Sequence, residues 1–197
     1  ESLLTTFGVL DFAWSSDDAV VCIQAIMGQT EGPVDDRWEL ARNRRDDSGF
    51  GTPIPDEPQA LVQDVKTQEW WVIGAKRIWK YPADFDAGGP GQDPVSPPSL
   101  PRPAGLPVVA PGSVAMDAQG RFLIADRAGN RVLRWDRLAD KIEILAGPGG
   151  RLFTGKGVAD GLAGPAYPAF GAGGELYVAD LRHRQVKRLP ASVLGQN

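Results

Sequence analysis

The chain carries few of the side chains from which catalytic sites are assembled. One histidine, His183, and one cysteine, Cys22, stand among 197 residues. A metal-dependent hydrolase or lyase needs several His, Asp or Glu side chains converging on one point. A nucleophile–base pair needs an imidazole beside its Ser or Cys, and nothing in the sequence sets His183 beside Cys22. Cys22 lies in the apolar run Ala19-Val20-Val21-Cys22-Ile23, which reads as a buried, inert thiol. A lone cysteine also excludes an internal disulfide framework. Gly150 to Gly157 reads GRLFTGKG, close to a phosphate-binding loop, but Gly157 stands where a magnesium-binding hydroxyl belongs. No catalytic, cofactor-binding or metal-binding residue is assigned on these grounds.

Asp126 and Asp180 invite a catalytic label because each ends an apolar segment, FLIAD and LYVAD. A carboxylate at that place accepts backbone N–H groups of the following turn, and the structural role is the expectation. The six tryptophans, Trp14, Trp38, Trp70, Trp71, Trp79 and Trp135, read first as packing residues. Trp70 and Trp71 are adjacent, so a strand would point them to opposite faces. One of them is expected outside, as a candidate interface anchor. Arg182, Arg184, Lys187 and Arg188 form a basic run that Arg127, Arg131, Arg134 and Arg137 could extend. Those four residues of the run are further interface candidates. The net charge of −4 is uneven: residues 1–60 hold 12 acidic and 4 basic groups, and the remainder 13 and 17. Such polarity could organise an oligomer or fit a charged partner, while a pI near 5.0 argues against a strong nucleic-acid footprint.

These residues are positioned by a repeat. Pro111 to Trp135 recurs at Pro165 to Leu189 with a period of 54, aligning Gly120 with Gly174, Asp126 with Asp180 and Val132 with Val186. A period near fifty, filled with short alternating segments and with 24 Gly and 17 Pro, points to one β-unit copied along the chain. The clearest copy has four strand signals, at 113–117, 121–126, 131–135 and 141–145, which is the content of one propeller blade. Glu69 to Gly74 with Lys76 to Tyr81 forms a degenerate copy, preceded by a first strand at 60–65, in which Val72 replaces the aspartate. Another hairpin lies at 10–23, with a third strand at 37–41.

The clear copy resembles an NHL repeat. A proline precedes an apolar strand, Asp117-x-x-Gly120 makes the first turn, a large apolar strand ends in Ala125-Asp126, and Asn130-Arg131-Val132 follows. The second copy keeps Gly174, Ala179-Asp180 and Val186 but has Gly171 for the turn aspartate. The resemblance implies structural turn roles for Asp117, Gly120, Asp126, Asn130, Gly174 and Asp180, and a structural histidine at the position of His183.

The fold expected is all-β, a β-propeller of about four blades or part of a larger ring, since the family usually builds about six. The whole chain is expected as one propeller domain, with blades near 9–42, 58–108, 111–147 and 165–197. Leu3 to Gly8 resemble Ile142 to Gly147, the outer strand of the clear copy, and residues 2–7 are expected to close the last blade, sparing open edges. The charged, Gly/Pro-rich stretches 42–58 and 82–107 are expected to be long loops. The function expected is a non-catalytic protein–protein interaction or assembly module, with a protein partner or self-association and no cofactor. The alternatives are part of a lyase-, lactonase- or hydrolase-like propeller enzyme, or a polyanion-binding face of the kind some NHL propellers turn to RNA. No apolar run spans a bilayer. The start at Glu1 rather than Met reads as a processed product, which favours a location outside the cytoplasm.

Overall fold

The computed structural model describes residues 6–14, 19–27, 37–43, 51–85, 97–110, 112–155 and 161–195. These form four antiparallel sheets in chain order, the blades of a β-propeller. The first sheet holds β1 (Thr6–Trp14), β2 (Val20–Met27), β3 (Arg37–Asn43) and β4 (Gly51–Ile54). The second holds β5 (Pro58–Gln63), β6 (Trp70–Gly74), β7 (Arg77–Tyr81) and β8 (Ser99–Pro101). The third holds β9 (Val114–Met116), β10 (Phe122–Asp126), β11 (Arg131–Asp136) and β12 (Lys141–Ala146). The last holds β13 (Pro165–Phe170), β14 (Leu176–Asp180) and β15 (Gln185–Leu189), followed by one helical turn, α1 (Ala191–Leu194).

The residues group into two compact units, one of residues 1–63 and 67–102, the other of 64–66 and 103–197. In the first unit Val21, Ile23, Leu40, Trp70, Val72 and Tyr81 form the core. In the second, Leu123, Val132, Leu145, Leu176, Val178 and Leu189 do so, and Leu194 of α1 joins them. Every residue of β6 and of β10 is buried, as inner strands covered on both faces must be. Phe122 and Trp135 pair across β10 and β11 and stack with centroids 5.0 Å apart.

Three sequence expectations change. Thr6 and Phe7 open β1, opposite Met27 and Ile26, instead of completing the last blade; residues 2–5 lie outside the described residues. The stretch 42–58 is not all loop, because Arg42 and Asn43 end β3 and 51–54 form β4. Likewise 99–101 of the stretch 82–107 pairs with β7 as β8. Pro53 and Pro101 disguised these strands. Both lie at a sheet edge and are exposed, where a missing N–H breaks no ladder bond.

Candidate functional site

Each repeat aspartate is buried and fastened to its own turn. Asp117 Oδ1 accepts the N–H groups of Gln119 and Arg121, both at 2.9 Å, and its Oδ2 accepts Arg121 Nε at 2.7 Å. Gly120 closes that turn at φ +74°, in the left-handed region that favours glycine, and its N–H donates to the Asp117 carbonyl. Gly174 does the same at φ +77°, bonding the Gly171 carbonyl.

Asp126 Oδ1 accepts Gly129 N–H at 2.9 Å, and its Oδ2 accepts Arg131 Nε at 2.7 Å. Asn130, at φ 51°, completes the turn, and its Oδ1 accepts Gly164 N–H at 2.8 Å, tying the β10–β11 turn to the chain entering β13. Asp180 is wholly buried. Its Oδ1 accepts Ala163 N–H at 3.1 Å, and its Oδ2 lies 2.8 Å from His183 Nδ1. The imidazole therefore takes on Oδ2 the place that Arg131 Nε has one repeat earlier, and the Ala163 N–H takes on Oδ1 the place of the Gly129 N–H. A His–Asp pair can orient a general base, but this carboxylate is also consumed as the acceptor of the Ala163 N–H ahead of β13.

The degenerate copy shows what happens when the aspartate is missing. The β6–β7 connection is the two residues Ala75 and Lys76, against four between β10 and β11. Its orphan N–H groups, those of Lys76 and Arg77, are accepted by Asp56 Oδ2 at 2.7 and 3.0 Å. Arg102 Nη1 adds a bond to the Gly74 carbonyl at 2.6 Å. Asp11 is a second carboxylate that sequence reasoning missed. It sits at a bulge in β1, and its Oδ2 accepts the buried Leu61 N–H at 2.9 Å, joining the first two sheets. A carboxylate between Leu10 and Phe12 in an otherwise apolar strand was its signal.

The interface candidates divide. Trp70 and Trp71 are 0% and 3% exposed, so neither offers a surface anchor. The neighbouring sheet covers one ring, and the Lys80 stem covers the other, with Nζ 5.7 Å from the Trp71 centroid. Arg182, Arg184 and Arg188 are exposed, whereas Lys187 is buried with its ammonium 5.3 Å from the Phe153 ring. Strand alternation turns Lys187 and Leu189 inward and Val186 and Arg188 outward. Of the extension, Arg127 is exposed; Arg131 is held by Asp126, and Arg134 donates to Glu143 Oε2 at 2.7 Å and to the Leu194 carbonyl at 2.5 Å. Burial pushes the Glu143 carboxyl up, but the bond and charge of Arg134, with Arg151 and Lys141, outweigh it and hold it below the usual range.

Cys22 is buried; burial raises its thiol more than the Asn43 hydrogen bond lowers it, so it stays protonated and inert. Gly150 to Gly155 run in the connection between β12 and β13, where no helix lies among the described residues for a phosphate to cap; Lys156 and Gly157 lie outside the described residues. Among the described residues no group of three or more His, Cys, Asp or Glu comes together. None of their helices is long and apolar enough to cross a membrane.

This arrangement of sheets is similar to that of solved propeller structures. A streptogramin B lyase matches with a TM-score of 0.55 at 13% identity, over 98% of this chain and 68% of that one. A catalytically inactive virginiamycin B lyase from Staphylococcus aureus, solved with quinupristin, matches with 0.50 at 14% identity, over 93% and 70%. The extracellular domain of a two component system from B. thetaiotaomicron matches with 0.45 at 11%, over 97% and 30%. The likeness is one of fold. No protein-family model matches the chain, and no curated protein matches it in sequence.

Proposed function

We propose that the chain is a non-catalytic propeller module of NHL type that holds a protein partner or a second copy of itself. The contact lies on the exposed arginines of the last blade, Arg182, Arg184 and Arg188. One observation carries the reading: the residues suited to chemistry are spent on fastening turns. Asp117, Asp126 and Asp180 each hold a turn, and His183 is bonded to Asp180. The same bonds support the NHL-type reading, since the pattern's Asp, Gly and Asn positions do in these turns what the repeat requires of them. The rival is a propeller lyase, the class to which the streptogramin B and virginiamycin B lyases belong by name.

Native mass spectrometry of the purified protein, beside incubation with quinupristin, separates the two. The expected result is a mass above one chain, or a stoichiometric protein complex, with quinupristin intact. A lone chain that consumes quinupristin would overturn the proposal.

A further inference from the structure

In the second unit, four segments share one end. The β10–β11 turn and the start of β9 lie together because Ala125 N–H donates to the Ser113 carbonyl. The β14–β15 turn and the start of β13 lie together because Pro165 pairs with Asp180. The bond from Gly164 N–H to Asn130 Oδ1 joins the two pairs. At this end Tyr167 is 58% exposed and has φ 51°, a backbone state that an aromatic residue adopts only when its surroundings impose it. It sits in the bulge between Ala166 and Ala169, and bulges re-aim side chains beside binding sites. Its ring lies over Gly112, where a Cβ would fall 2.6 Å from a ring carbon. One repeat earlier the aligned residue is the buried Ser113.

Charge at the same end is sorted. Asp126 and Asp180 are buried, with their oxygens occupied by the bonds to Gly129, Arg131, Ala163 and His183. Arg127, Arg182 and Arg184 are exposed, and among the described residues none of them is paired with a carboxylate. Arg182 lies beside Gly164, whose N–H is held by Asn130 of the β10–β11 turn that also carries Arg127.

We infer that this end of the second unit binds an acidic peptide segment of a protein partner, its carboxylates on Arg127, Arg182 and Arg184 and an apolar side chain against Tyr167. The inference rests on the interaction-module reading. An acidic peptide fits better than a nucleic acid. Single strands need successive stacking platforms, and among the described residues at this end Tyr167 is the one exposed aromatic ring.

The test is titration of the ¹⁵N-labelled full chain with an end-blocked peptide of four Glu-Leu repeats, a Lys-Leu peptide of equal length and a single-stranded oligothymidine. The expected result is amide shifts confined to 112–114, 127–130, 163–168 and 181–184 with the Glu-Leu peptide alone. Affinity should fall at least about tenfold in Arg127→Glu/Arg182→Glu. Tyr167→Gly should weaken binding about fivefold while its urea midpoint stays equal or rises, because glycine relieves the backbone. No response to the Glu-Leu peptide, shifts elsewhere, an equal response to the Lys-Leu peptide, or tighter binding of the oligonucleotide would each overturn the inference. A native mass above one chain together with a silent titration removes this site and leaves the module reading standing.

Discussion

Tyr81 shows how one buried polar side chain is accommodated in this molecule. It is 1% exposed and donates its hydroxyl to the Pro53 carbonyl at 3.0 Å, joining β7 to the edge strand β4. Burial pushes its ionisation well above the ordinary value of 10.0. The folded state therefore holds the phenolic proton more tightly than the unfolded chain, and stability is present below pH 10 and lost as pH rises beyond it. Urea midpoints measured at about pH 8 and about pH 11 should fall further for the parent than for Tyr81→Phe, which has no proton to lose there. Equal falls would contradict the assignment. At this scale the sequence was legible where a motif carried the information. Asp117, Asp126 and Asp180 were readable because each follows a strand and precedes a turn. What Asp11 and Asp56 bond was not readable, because their partners, Leu61 and the 76–77 backbone, are 50 and about 20 residues away and no local pattern links them. Trp70 and Trp71 misled for a related reason: alternation gives two faces, but both faces of β6 are covered.

The elements follow from turn chemistry more than from strand propensity. Gly147 follows β12 at φ +87°, and a Cβ there would fall 2.2 Å from the Asn130 carbonyl oxygen and 2.8 Å from Arg131 Cα. Neither backbone atom can give way without disturbing the β10–β11 turn. Gly147→Ala should cost about 2 kcal/mol or more, read as a lowered urea midpoint at unchanged slope; a change under about 0.5 kcal/mol would contradict this packing. The strands β6, β7, β10, β11, β14 and β15 were legible because apolar runs bounded by Gly, Asn and Asp mark hairpins. The edge strands β4 and β8 were hidden by proline, which an edge tolerates and a sequence pattern counts against a strand. The last sheet differs from the others in holding three strands among the described residues. Its outer strand carries exposed Val186 and Arg188.

Across the whole molecule the labour is divided between two kinds of charged residue. Buried carboxylates hold the blades, and outward arginines are left for a partner. The propeller fold was readable from the period of 54, since a unit of four short strands buries its faces only against another like it. What the fold binds was not readable, because binding resides in exposed side chains that the repeat does not constrain; Tyr167 emerged only from its backbone conformation and its ring over Gly112. Equilibrium urea unfolding of two variants tests the division most directly. Asp126→Ala leaves the Gly129 N–H and the Arg131 guanidinium without their acceptor, and should lose about 2–4 kcal/mol. The triple variant Arg127→Ala/Arg182→Ala/Arg184→Ala should stay within about 0.5 kcal/mol of the parent. A stable Asp126→Ala protein beside a strongly destabilised arginine variant would contradict the account.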